Sequence, residues 1–377
     1  MPAISIWRDA ALKLFLAATS LAPAYGGPAH SVSRLALALA ASGADVGLWT
    51  PDQTVRTTPL LPAATVIKRL AGSLEQALAA FGSPDIFHDN GIWLAHNHRV
   101  SRLATGSRIP RIVSTRGMLE PWAMRHKHLK KQIAWHLYQR SDLRCAQGLH
   151  ATSAQEAENL KRLGLRVSVC VIANGVDIPE LDPERSPRLN TGSRTALFLG
   201  RIYPVKGLQM LIEAWDQVRP TGWRLRIAGP DEAGHRAKIE AMVASAGLGN
   251  VVSFDRSLDD EAKRAAFYDS DLLVLPSHSE SFGIVVAEAL AHGVPALTTT
   301  ATPWRALPKR GCGWCVAPSR AGIALGLAEA TARESAVLRM MGIKGRAWMA
   351  ADFGWEGVAN QFIAAYTQLV TAGRPPS

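Results

Sequence analysis

Short, continuously apolar runs alternate along this chain with longer segments that are apolar on one side only. Continuous runs of this kind suit strands buried on both faces, as in a parallel sheet. Residues 12–18 form the first, and 45–49, 85–88, 111–115, 149–153 and 169–173 follow. Between the first two, Val32, Leu35 and Leu39 share one helical face from about Ser31, with Gly43 past its end. That spacing predicts a helix and a strand–loop–helix–strand unit. Its loop, 23–28, lacks the G-x-G-x-x-G spacing of dinucleotide binders. Gly26 and Gly27 fit a tight turn as well as close approach of a ligand.

A second alternating series starts near residue 195. Strands are expected at 195–199, 224–228, 251–254, 272–275 and 296–299, and helices at 208–218, 236–246, 260–268, 322–350 and 355–370. Pro179, Pro183, Pro187 and Gly192 mark a linker between the series. The expected organisation is a first Rossmann-like domain over 1–177, a linker over 178–194, a second Rossmann-like domain over 195–354 and a terminal helical segment over 355–377. Two such α/β domains would face a cleft with their carboxyl edges.

The most informative stretch is 272–288. An apolar strand passes through a polar turn into a helix stopped at Gly293 and Pro295. Backbone N–H groups from Phe282 to Val285, Ile284 among them, would open that helix without intrahelical partners. Glu280 and Glu288 frame them eight positions apart, roughly 12 Å along a helix axis. An anion-seeking helix start beside two carboxylates suits a ligand with both phosphates and hydroxyls, which is a nucleotide sugar.

Composition narrows the partners. The net charge of +11 over 377 residues favours polyanions or phosphorylated ligands. No helix-turn-helix, zinc or RNP-type pattern accompanies the charge, so nucleic acid is not expected. Residues 125–140 hold Arg125, Lys127, Lys130, Lys131 and Arg140 and no acid, with Trp122 and Trp135 alongside. This is either a solvated face or a basic amphipathic helix for an anionic membrane surface. No apolar run is long enough to cross a bilayer. Residues 8–26 imitate a signal peptide, but Asp9, Thr19 and Ser20 interrupt the pattern and a buried first strand is the preferred reading. Four cysteines are too few for a disulfide scaffold, and Cys312-Gly313-Trp314-Cys315 reads as chance spacing in a loop. His88 and Arg116 would lie just past strands, at the edge where open α/β sheets bind ligands.

Three motifs in order carry a resemblance: Asn174-Gly175-Val176-Asp177, then Gly200-Arg201 followed by Lys206-Gly207, then Glu280-x7-Glu288 enclosing Ser281-Phe282-Gly283. The chain resembles the retaining glycosyltransferases of family 4, with the two-domain GT-B fold. The resemblance implies that Arg201 and Lys206 bind the donor diphosphate. Glu288 would hold the ribose and Glu280 the sugar hydroxyls. Phe282, Gly283, Ile284 and Gly229 would complete the donor site, and Gly26 and Gly27 would approach the substrates. The departing phosphate would take the acceptor proton, with no metal or other cofactor. Family members often carry a histidine where Arg116 stands, so either Arg116 or His88 would fill the catalytic position of the first domain. Helix 355–370 would return to that domain. Segments 117–122 and 302–304 resemble a branch that builds bacterial surface polysaccharide. A cytoplasmic enzyme is implied, peripheral to the inner membrane face, taking a UDP- or GDP-sugar to a glycan or lipid-linked acceptor in lipopolysaccharide or exopolysaccharide synthesis. The alternatives are a sugar-nucleotide epimerase of the same fold and a non-catalytic scaffold.

Overall fold

The computed structural model describes residues 11–125, 128–180 and 193–372. The linker expected over 178–194 falls mostly outside them, as do Lys127 and the start of the signal-like stretch. The elements in order are β1 (Lys13–Ala18), α1 (Gly27–Ala41), β2 (Asp45–Trp49), β3 (Lys68–Leu70), α2 (Leu74–Phe81), β4 (Ile86–Asn90) and α3 (Ala95–Gly106). Next are β5 (Arg111–Ser114), α4 (Pro121–Arg125), α5 (His128–Ala134), a π-helical turn (Trp135–Gln139), α6 (Arg140–Arg144), β6 (Gly148–Ala151), α7 (Ala154–Arg162) and β7 (Val169–Val171). The second series holds β8 (Arg194–Leu199), α8 (Leu208–Val218), β9 (Trp223–Ala228), α9 (His235–Ser245), β10 (Val252–Asp255), α10 (Asp260–Tyr268) and β11 (Leu272–Leu275). It continues with α11 (Ile284–Ala291), β12 (Ala296–Thr299), α12 (Leu307–Arg310), β13 (Gly313–Val316), α13 (Arg320–Thr331) and α14 (Ser335–Asp352), and α15 (Trp355–Ala372) follows.

The chain divides into two compact units. Unit 1 holds everything up to Gly175 and everything from Trp355 onward; unit 2 is Val176–Gly354. Each is built on one parallel sheet, ordered β3-β2-β1-β4-β5-β6-β7 in unit 1 and β10-β9-β8-β11-β12-β13 in unit 2. Both orders reverse direction once, between β1 and β4 and between β8 and β11. Loops leaving the carboxyl ends of adjacent strands part company at such a point and leave a crevice. The α/β architecture read from the hydrophobic pattern is therefore the observed one.

In unit 1, α15 supplies Val358, Ala359, Phe362, Tyr366 and Val370 to the core formed by β1, β2 and α1. Beneath them runs a chain of buried polar groups. The Ile172 carbonyl can only accept, so His150 Nε2 donates to it at 2.8 Å. His150 Nδ1 must then accept, and Ser114 Oγ donates to it at 2.7 Å. Ser114 Oγ accepts in turn from His88 Nε2 at 2.6 Å, which leaves His88 Nδ1 to accept from the Tyr366 hydroxyl at 2.6 Å. Burial pushes both imidazoles well below their ordinary pKa, His150 to about 4, so both are neutral and every hydrogen bond runs in one direction.

Several elements differ from expectation. β4 does not end at His88 but continues through Asp89 and Asn90. Polar residues can stay in a buried strand because each has a partner: Asp89 meets Arg111 Nη1 at 3.2 Å and Asn97 Nδ2 at 2.8 Å. α1 starts at Gly27, not near Ser31, because Pro28 is compatible with a first helical turn. The expected single helix over 322–350 is two, α13 and α14, broken at 332–334. The Cys312–Cys315 segment is mostly the strand β13 rather than a loop, and burial pushes the Cys312 thiol up to about 11. Both are free thiols, and no described group of His, Cys, Asp and Glu could hold a metal.

Candidate functional site

Unit 2 gathers its chemistry at the β8/β11 switch point. After β8 the chain turns at Gly200, bridges through a short 3₁₀ turn (Pro204–Lys206) and enters α8 at Gly207. Gly207 has φ +72°, and a Cβ there would meet the Pro276 carbonyl oxygen at 2.1 Å, so only glycine fits. The loop after β11 closes on the same place, with the His278 amide donating to the Val205 carbonyl at 2.8 Å. Across these loops Lys206 Nζ and Glu280 Oε1 lie 2.5 Å apart, both largely buried, and Ser277 Oγ donates to the same carboxylate oxygen at 2.8 Å. Gly229, after β9, passes so close to Gly200 that a Cβ would sit 2.0 Å from the Gly200 oxygen.

α11 begins at Ile284, two residues later than the sequence suggested. Gly283, at φ +73°, is its N-cap, and no side chain caps it. Phe282 therefore stays in the loop. Its ring packs on Trp304 with centroids 5.2 Å apart, and its carbonyl accepts from the Trp304 indole at 2.5 Å. Phe353 and Trp348 back Trp304 in turn. An aromatic wedge thus fixes the turn that presents the uncapped helix start. An open N-terminus of this kind attracts anions.

The two glutamates have separate surroundings. Glu280 belongs with Lys206. Glu288, in the body of α11, pairs instead with Lys263 of α10 at 2.5 Å. Arg201 turns to Glu232, 2.5 Å away at an exposed position, and not to the Lys206 pair. Lys263 and Glu232 were missed from sequence. Lys263 lies in an ordinary amphipathic helix, and only the packing of α10 beside α11 shows its partner.

In unit 1 the end of β4, the loops after β5 and β7 and the first turns of α1 converge on Arg116. Its Nη1 donates to Ser31 Oγ and to Asn174 Oδ1, each at 3.0 Å, and its Nη2 to Asn90 Oδ1 at 2.6 Å. All three partners are neutral, and Nε is buried without a partner. Burial holds its pKa down at about 10, with Glu156 opposing through space. Arg116 also carries φ +53°, uncommon for a residue with a Cβ. Ser153 Oγ caps α7 by accepting from the Glu156 amide at 3.1 Å, while the Glu156 carboxylate is engaged elsewhere. One oxygen accepts from Thr115 Oγ1 and Gly117 N, the other from Thr152 N and Oγ1. His88 lies within the sheet, fully buried, with both nitrogens occupied. Gly26, at φ +80°, caps α1 without a side chain, while Gly27 is helical.

Two parallel-sheet units of doubly wound topology, each with loops gathered at its switch point, define a GT-B protein. Residues 26–175 match the glycosyl transferase 4-like domain and residues 182–346 the glycosyl transferases group 1 domain. The chain belongs to the GT-B glycosyltransferases of family 4. A D-inositol 3-phosphate glycosyltransferase from Actinosynnema mirum is 28% identical over 251 residues, covering 59% of this chain and 58% of that protein. The chain spans about half the length of the curated relatives it matches. Sucrose-phosphate synthase from Thermosynechococcus elongatus shares the fold over 96% of this chain and all of the other, with TM-score 0.76 and 22% identity. Anabaena HepE, solved in complex with UDP-glucose, has TM-score 0.71 and 19% identity over 95% of this chain and 100% of its own.

Proposed function

We propose that the protein is a retaining hexosyltransferase. It takes a nucleotide-diphosphate sugar, UDP- or GDP-linked, on unit 2 and transfers the sugar to a glycan or lipid-linked acceptor on unit 1. The observation that carries this reading is the Lys206–Glu280 pair beside the uncapped start of α11. The donor diphosphate lies on the free N–H groups at Gly283 and Ile284 and draws the Lys206 ammonium toward itself. Glu280, released from Lys206, meets the hydroxyls of the sugar. Arg201 adds a second cation, and Glu288, steadied by Lys263, holds the ribose. Phe282 acts through the turn it wedges open, and Gly229 by keeping the space beside Gly200 clear. Fixed cations at the leaving phosphate stabilise the charge that grows there, usually a large part of catalysis. That phosphate takes the acceptor proton, and neither a metal nor an additional cofactor is used.

On unit 1 we assign the substrate-facing cation to Arg116, with Gly26 and Gly27 at the helix start behind it. His88 supports that edge from within the sheet. The acceptor belongs to bacterial lipopolysaccharide or exopolysaccharide assembly in the cytoplasm. Segments 117–122 and 302–304 favour that branch.

Melting curves with UDP, GDP and ADP test the donor. A ligand that binds only the folded state raises its stability, by about 2.7 kcal/mol at a hundred times Kd. One nucleotide should raise the melting temperature, and Lys206→Ala should abolish most of the shift. Transfer should fall at least about a hundredfold in that variant, the scale of losing one charge-stabilising group. Undiminished transfer by Lys206→Ala would overturn the assignment. Consumption of donor without acceptor would point to an epimerase instead.

A further inference from the structure

Unit 1 carries an outward face that plays no part in the site above. It is formed by α4, α5, the π turn and α6. Leu129, Ile133 and Leu137 follow at four-residue steps, which places them on one side of the helical segment. They are 73%, 61% and 75% exposed. The opposite side is anchored: Met124 and Trp135 pack on the core cluster around Leu143 and Leu149, Gln139 accepts from the Trp93 amide at 2.6 Å, and Tyr138 donates to the Trp93 carbonyl at 2.5 Å. Three large aliphatic side chains are therefore held out toward water by a segment that is well tied down.

Their surroundings are basic. Arg125, His128, Lys130, His136, Arg140 and Arg144 are all exposed on the same segment. Lys131 turns back, its ammonium bonded to the Ala123 carbonyl and lying over the Trp93 ring. Among the described residues from 121 to 144 the one acid is Asp142. It is buried, with both oxygens on His98 Nδ1 at 2.9–3.0 Å, so it does not face outward.

We propose that this face docks on an anionic lipid surface, with Leu129, Ile133 and Leu137 entering the boundary between headgroups and acyl chains and the flanking cations meeting lipid phosphates. A nucleic-acid backbone would use the cations but offers nothing to the aliphatic row. A bilayer with acidic headgroups answers both, and an amphipathic helix lying in that interface needs no span long enough to cross it. Among the described residues no helix has such a span.

Flotation of the full chain with phosphatidylglycerol–phosphatidylcholine vesicles and with phosphatidylcholine vesicles tests this. Binding should require the anionic lipid. The triple variant Leu129→Ser, Ile133→Ser, Leu137→Ser should lower partitioning at least about tenfold, since these side chains lose apolar burial. Lys130→Glu with Arg140→Glu should weaken it similarly, and raised salt should weaken the wild type. All five side chains are exposed, so the variants should melt with the wild type. Undiminished binding by the triple variant, or equal binding to both vesicle types, would overturn the proposal. So would a dimer of the free chain that the triple variant abolishes, because the stripe would then belong to a second copy. Nucleotide-induced melting shifts in the same variants report the donor site separately, so failure of lipid docking and failure of the transferase reading are distinguishable.

Discussion

Glu120 shows how one residue can store a pH response. One oxygen accepts from Asn159 Nδ2 at 2.6 Å, and the other is buried with no partner. Burial, helped by Glu156, raises its pKa to about 7. A carboxyl whose folded pKa lies above its unfolded value opposes folding once it must ionise. Stability is therefore lost as pH rises from about 4.5 to 7. Glu120→Gln should be more stable than the wild type above pH 7, by about 1–2 kcal/mol after allowance for solvent screening. The two should converge below about pH 4.5. Urea melts at pH 4.5 and 8 check this; a gap that does not depend on pH would refute it. Lys263 is the other residue-scale case. Lys263→Met leaves Glu288 without its cation, so the donor KM should rise more than kcat falls, whereas a purely structural loss would lower the melting temperature without that split.

At the scale of elements, the sequence was most legible where a pattern is local. Parallel strands announced themselves as apolar runs, and α10 and β12 have the bounds their patterns suggested. What escaped was set by distant partners. β4 looked two residues too short because Asp89 and Asn90 are polar, and their neutralising contacts with Arg111 and Arg116 come from another strand and a loop. β3 and α2 were not anticipated at all; three residues of β3, one of them buried, carry too little periodicity to see. In the candidate site the motifs gave no pairings: Lys206 meets Glu280, whereas Arg201 and Glu288 turn to Glu232 and Lys263, which lie outside the motifs. The hydrogen-bond chain through α15 makes an element-scale prediction. Tyr366→Phe removes the donor to His88 and leaves a buried acceptor unmet, which should cost about 1–3 kcal/mol. The loss should be seen by denaturant unfolding, with the nucleotide-induced shift retained.

At the scale of the molecule, the two units share a plan but not a chemistry. Unit 2 gathers glycine-cornered loops around the Lys206–Glu280 ion pair, and unit 1 gathers neutral hydrogen-bond acceptors around the Arg116 guanidinium. Hydrogen exchange should register the difference. A bound nucleoside diphosphate should slow exchange in 200–207 and 277–286, while the strands of unit 1 keep their free-state rates. Protection concentrated in unit 1 would contradict the assignment of the donor to unit 2.

The connectivity also dictates an order of assembly. Unit 1 is interrupted: its sheet is complete by β7, but α15, which closes its core and ends the hydrogen-bond chain at Tyr366, lies beyond the whole of unit 2. On a ribosome, where chains emerge amino end first, the domain that is begun first is thus the last to be finished. Unit 2 is a guest threaded through its host, contiguous and free to fold while the host waits with an open apolar face for its final helix.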